Sequence, residues 1–179
     1  MNGNDFVIWR WGESALVGII DGLGHGPHAH VAASAARQYV ERHYDQPLKM
    51  LFQGISRACS GTRGVVMALG RFDWAQSKLT FGSVGNTEAR VLSTKEPFSL
   101  PITRGILGIG LPAPEIEECP WDPSYTLVLH TDGVSHQWQW EDLRSMEGKT
   151  AAEIAFQLLQ RMARDDDDAT VIVVRESKP

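Results

Sequence analysis

Short apolar runs punctuated by glycine and aspartate run through the chain, and their period changes along it. Phe6 to Trp11 and Ala15 to Ile20 read as two strands joined at Gly12-Glu13-Ser14, a hairpin that ends on Asp21. From His28 to His43, Ala, Val and Tyr recur at helical spacing with polar residues between, so the glycine-rich turn after Asp21 feeds a helix. A second helix is predicted over Pro47 to Cys59. Gly64 to Phe72 and Lys78 to Gly82 form an apolar hairpin around residues 73–77; Glu88 to Leu92 follows the Gly85-Asn86 turn. Tyr125 to His130 is a strand running into Asp132. Thr150-Ala151-Ala152-Glu153 has the pattern of a capping box, and Ile154, Leu158, Leu159 and Met162 form one apolar stripe behind it. Ala169 to Val174 closes the chain as a strand. Antiparallel hairpins with two helices early and one or two late predict an α+β fold.

Composition narrows the class. With 179 residues, 42% of them apolar, the chain can bury one substantial core, so residues 1–179 are expected to form a single domain. Its 17 basic and 22 acidic residues leave a net charge of −5, with neither a basic stripe for nucleic acid nor a polybasic anchor for membranes. Cys59 and Cys119 suggest neither a disulfide framework nor a zinc knuckle. The start, MNGNDFVIWRW, lacks a cationic segment followed by a long apolar stretch, and no run reaches the length of a membrane span. A cytoplasmic protein is expected.

Three acidic segments carry the candidate chemistry: Asp21 in IIDGLGHG, Asp132 in LVLHTDG and Asp167 in DDDDATVIVV. Each lies where a strand should end or begin, so folding could bring all three to one sheet edge. Two carboxylates about 4 Å apart repel by roughly 4 kcal/mol at an effective dielectric near 20, so such a cluster needs a proton or a cation. A hard divalent ion that accepts oxygen ligands and keeps several waters is the simpler remedy. Asp-Gly is also a common turn dipeptide, and four consecutive acids usually form a solvated loop. Two Asp-Gly pairs after buried strands, with an acidic run before a third strand, are harder to assign to turns alone.

The order DGLGHG, SVGN, TDGVS and DDAT before a closing apolar strand resembles the metal-dependent protein phosphatases of the protein phosphatase 2C superfamily. Within that superfamily it is most similar to the small bacterial SpoIIE/RsbU/RsbX type. The resemblance runs from about Gly3 to Val174. It implies a four-layer α/β/β/α sandwich of two mainly antiparallel sheets, with a metal centre at one end. It further implies that Asp21 bridges two Mn²⁺ or Mg²⁺ ions, that Gly22 offers its carbonyl to one of them, and that Asp132 and Asp167 complete the shell. Asp21 and Asp132 are then the catalytic pair. Asp167 stands three positions before Thr170, as the family pattern asks, with Asp166 and Asp168 as alternatives. The implied reaction is hydrolysis of phosphoserine or phosphothreonine by a metal-activated water. The implied substrates are phosphorylated stressosome or anti-sigma-antagonist-type proteins. A degenerate relative that grips a phosphoprotein without hydrolysing it is the alternative.

One departure stands out. The family usually carries Gly-Asp at the first strand, whereas this chain reads Gly3-Asn4-Asp5-Phe6. Counting from Gly3 puts Asn4 at the ligand position, and a one-residue adjustment puts Asp5 there on the opposite strand face. Asp5 is taken as the ligand. His25, His28 and His30 invite a zinc site, but His28 and His30 diverge once a helix begins, and His25 reads as a plain turn residue satisfied by backbone, with contact to phosphate or proton donation to the leaving group as the alternative. Trp138 and Trp140, after His136, are read as core or edge packing. Gly105 to Gly110 lacks the lysine of a phosphate loop and reads as a tight apolar turn under the site.

Overall fold

The computed structural model describes residues 2–93, 98–110, 112–135, 148–164 and 167–176. In chain order the elements are β1 (Asn4–Trp11), β2 (Ser14–Gly22), α1 (Pro27–His43), α2 (Leu48–Ala58), β3 (Val65–Asp73), β4 (Lys78–Val84), β5 (Glu88–Leu92), β6 (Phe98–Ser99), β7 (Ile116–Pro120), β8 (Thr126–His130), α3 (Ala151–Met162) and β9 (Val171–Arg175). Strand order is β1-β2-β3-β4-β7 in one sheet and β6-β5-β8-β9 in the other. All the ladders are antiparallel.

Alternation along each strand builds the layers. In β2, Leu16 and Ile20 turn toward α1 and α2, while Val17 and Ile19 turn toward the second sheet. In β8, Leu127 and Leu129 meet them between the sheets, and Val128 faces outward onto Ile154 and Leu158 of α3. The order is therefore helices, sheet, sheet, helix, the expected α/β/β/α sandwich. Phe72 and Phe81 are fully buried between the sheets, and truncating either to alanine should cost about 3–5 kcal/mol. The small residues Ala29, Ala32, Ala33 and Ala36 let α1 lie close against β1 and β2. Thr150 and Glu153 form the predicted capping box, satisfying two donors at the start of α3.

Two short strands escape the periodicity. β6 is only two residues long, and β7, IEECP, is an edge strand whose glutamates are exposed, so neither shows apolar alternation. β1 begins two residues earlier than expected, because Asn4 and Asp5 pair with Asp21 and Ile20. The Gly105 to Gly110 turn is pinned at its centre, where Leu107 exchanges both backbone bonds with Val65 at 2.9 Å. His136, Trp138 and Trp140 lie outside the described residues, as does Asp166.

Candidate metal centre

Asp21 closes β2 on the face that carries Val17 and Ile19, at the open end of the space between the sheets. Asp132 lies two residues past the end of β8, and Asp167 and Asp168 precede β9, its neighbour. All four aspartates line one cleft of about 1210 Å³ with Leu23, His25, Asn86, Ile102, Arg104 and Ile106. The topology thus gathers Asp21, Asp132 and Asp167 from distant parts of the chain, and adds Asp168.

Glycine permits that approach at two points. A Cβ on Gly22 would stand 2.1 Å from the Ala29 carbonyl oxygen, so only glycine lets β2 end against the first turn of α1. A Cβ on Gly133 would stand 2.2 Å from the Asp168 carbonyl oxygen, so only glycine lets the acidic loop close over the residue after Asp132.

The Asp21 carboxyl is pushed up from 3.8 to about 7, first by burial and then by the charges of Asp132, Asp167 and Asp168. A carboxyl that holds its proton to neutrality for these reasons is an anionic site short of a cation. Oxygen-only donors on a half-buried edge suit a hard ion such as magnesium or manganese rather than zinc. No three of the described His, Cys, Asp and Glu side chains close on one coordination point. Asp132 instead accepts a hydrogen bond from Asn86 Nδ2 at 2.5 Å. Asp167 Oδ1 accepts from the Asp168 amide at 2.8 Å, and Asp168 Oδ2 accepts from the Gly3 amide at 2.7 Å.

The placement of Asp5 is a correction. Its register partner is Ile20, on the helix-facing side of β2, and its Oδ1 takes an ion pair from Arg37 of α1 at 3.2 Å. Asn4 is the residue opposite Asp21. Its Nδ2 donates to Thr131 Oγ1 at 3.2 Å and to the Asp168 carbonyl at 2.9 Å.

Behind the edge, His130 is buried, its Nδ1 lies 3.0 Å from the Thr131 carbonyl and its Nε2 lies 3.4 Å from Glu88 Oε2. Glu88 is held down to about 2, chiefly by the His130 bond and then by Arg90, with burial opposing. This outer pair stiffens the strand end that presents Asp132. His25 is exposed on the cleft wall, His28 is exposed on α1, and His30 faces the Asn2 carbonyl at 3.3 Å, so the histidines make no common site.

Sequence reasoning missed Arg104 and the bond from Asn86. Arg104 is the one Lys or Arg among the described residues lining the cleft. No local pattern marks it. Asn86, by contrast, belongs to SVGN, a motif that could have been assigned a role.

Residues 12–176 match the Stage II sporulation protein E (SpoIIE) family. Phosphoserine phosphatase RsbX of Bacillus subtilis (strain 168) is 23% identical over 175 residues, 96% of this chain and 85% of that protein. A solved chain from a study of the bacterial stressosome as a modular system adapted to control secondary messenger signaling is 31% identical. It superposes with a TM-score of 0.91 over 98% of this chain and 92% of its own. The structure of RsbX in complex with magnesium is 24% identical, with a TM-score of 0.85 over 97% of this chain and 86% of that one.

Proposed function

Because this chain belongs to the SpoIIE family of protein phosphatase 2C-type domains, we propose that it is a phosphoserine/phosphothreonine protein phosphatase that depends on two Mg²⁺ or Mn²⁺ ions. The observation that carries the reading is the gathering of Asp21, Asp132, Asp167 and Asp168 on one cleft, with the Asp21 carboxyl raised to about 7. Asp21, Asp132 and Asp167, with the Gly22 carbonyl, would hold the ions. When bound, such ions supply water of lowered pKa and neutralise charge on the phosphoryl oxygens.

The chain's own residues then divide the remaining work. Asp21 releases its proton as the site fills and becomes a full carboxylate. Asn86 fixes the direction of Asp132 before anything binds. Arg104, on the opposite wall, offers a planar guanidinium to the phosphoryl oxygens of an incoming phosphoserine. Exposed Ile102 beside it gives apolar contact to the flanking peptide. Neither cysteine lines the cleft, and burial pushes both thiols up, Cys59 to about 11, which leaves them inert.

The similarity to RsbX and to a stressosome-associated chain supports a phosphorylated regulatory protein of the stressosome or anti-sigma-antagonist kind as the substrate. No described helix is long and apolar enough to cross a membrane, which accords with a cytoplasmic site of action. A single catalytic domain over residues 1–179 is part of the same proposal. The test is phosphate release from a phosphoserine-bearing partner with manganese, with chelator and with Asp21→Asn. Release that survives both removals overturns the reading.

Asn4 opposite Asp21 favours a second reading, a module that binds a phosphoprotein without hydrolysing it, because a neutral amide is a poorer ion ligand than a carboxylate. Retention of the phosphoprotein with no phosphate release and no manganese heat in calorimetry would select that reading.

A further inference from the structure

Asn4 sits where three chain segments meet: the start of β1, the end of β8 and the loop that leads into β9. Its side-chain nitrogen donates to the Asp168 carbonyl at 2.9 Å and to Thr131 Oγ1 at 3.2 Å. A main-chain carbonyl only accepts, so the amide nitrogen, not the amide oxygen, must face Asp168. The adjacent Gly3 amide donates to Asp168 Oδ2 at 2.7 Å, giving the same loop a second tie to β1. Thr131 Oγ1 also accepts from the Thr170 amide at 3.1 Å, and the Thr131 amide donates to the Thr170 carbonyl at 3.1 Å. Neutral N–H donors therefore hold together oxygen-bearing segments that would otherwise present acceptor to acceptor.

We infer that Asn4 is a positioning residue that closes the acidic edge without a cation. Its amide nitrogen does at this corner what a bound ion would otherwise do, pulling β1 and the Asp168 loop onto the end of β8. An aspartate at position 4 could not make the bond to the Asp168 carbonyl. It would set a carboxylate oxygen against that carbonyl, and add a charge opposite Asp21 and beside Asp168. The edge would then close only with a proton or an ion present. The claim of ion-independent closure stands on these bonds alone; its manganese arm rests on the proposed metal centre.

The test compares Asn4→Asp, Asn4→Ala and the unaltered chain by thermal melting, in chelator and then with manganese, alongside a manganese titration by calorimetry. In chelator both variants should melt about 2–4 °C below the unaltered protein, the loss expected when a part-buried bond is broken in a chain of this size. Manganese should raise the melting temperature of Asn4→Asp by at least about 5 °C more than that of the other two, with affinity about tenfold tighter. A purely structural asparagine would be equally damaged by both substitutions and show no excess manganese response. Melting of Asn4→Asp in chelator at the unaltered temperature overturns the inference. So does an equal manganese shift in all three proteins. If the unaltered chain neither binds manganese nor releases phosphate while the chelator arm behaves as stated, the proposed function fails and the clamp stands.

Discussion

Asp21 and Asp132 lie at the ends of interior strands of opposite sheets and line one cleft, yet their surroundings are unlike. Asp132 is aimed by the amide of Asn86 and backed by the pair that His130 of β8 makes with Glu88 of β5. Asp21 makes no hydrogen bond through its carboxylate among the described residues, and burial with three neighbouring acids raises it to about 7. One side of the site is oriented and the other is electrostatically unsatisfied. That division suggests that specificity of geometry resides on the β8 side and the drive to take up a cation resides on the β2 side.

Removing the unsatisfied member should have the largest effect. Asp21→Asn is expected to lower phosphate release about a thousand-fold, equivalent to several kcal/mol of lost charge stabilisation. In chelator the same substitution should act the other way on stability. The folded Asp21 carboxyl lies above its unfolded value, so its contribution is fully present below pH 4 and is lost as pH rises through about 7. The gap from 3.8 to about 7 corresponds to about 4 kcal/mol of penalty at pH 8. Denaturant unfolding against pH should therefore fall for the unaltered protein between pH 4 and pH 7, and stay nearly flat there for Asp21→Asn. Parallel curves would erase the contrast between the two aspartates.

Disturbing the aim of Asp132 should matter less. Asn86→Ala leaves every carboxylate in place and removes only the 2.5 Å donor. Loss of such an outer partner should weaken manganese binding and turnover by about 10–100-fold, with little change in the melting temperature in chelator. If Asn86→Ala equals Asp21→Asn in its effect on turnover, then orientation rather than unmet charge dominates the site.

Arg104 lies outside both halves, on the wall formed by residues 102–106. Arg104→Met should raise KM for a phosphoprotein about tenfold while manganese affinity is unchanged, since one exposed charge-assisted bond to phosphate is lost. Arg104→Lys should restore only part of that loss, because an ammonium cannot make the forked contact. A shift in manganese affinity instead of KM would place Arg104 with the carboxylates rather than with the substrate.

How far the sequence revealed this arrangement varied with the local pattern. Asp21 and Asp132 were legible because each ends an apolar run and precedes a glycine whose missing Cβ the fold requires. The helices were legible from their apolar stripes and, for α3, from the capping box. The choice between Asn4 and Asp5 was not. Val7 is buried on the helix side of β1, while Phe6 and Ile8, on the other side, are 51% and 60% exposed, so FVIW is apolar on both faces and its alternation cannot fix the register. Within Asp165 to Asp168 nothing local separates one acid from the next. What distinguishes Asp168 is its bond from the Gly3 amide, a contact 165 positions away in the chain. Arg104 and the edge strand β7 were hidden for the same reason, since partners distant in sequence give each its role.

The smallest expected signal is also the most direct reading of the difference between the two aspartates. At pH 6 an Asp21 carboxyl with a pKa of about 7 is mostly protonated, so a divalent ion must displace close to one proton on entering. At pH 9 that proton is already gone. Calorimetric titration with manganese in two buffers of different ionisation enthalpy should therefore return about one proton released at pH 6 and none at pH 9. Apparent affinity should rise about tenfold per pH unit below 7 and level off above it. Asp21→Asn, even if it binds weakly, should lose this proton count, whereas Asn86→Ala should keep it, because the bond it removes is to Asp132 alone. A proton count that survives Asp21→Asn would mean that another carboxyl of the cleft holds the proton, and that the unmet charge belongs to the β8 side.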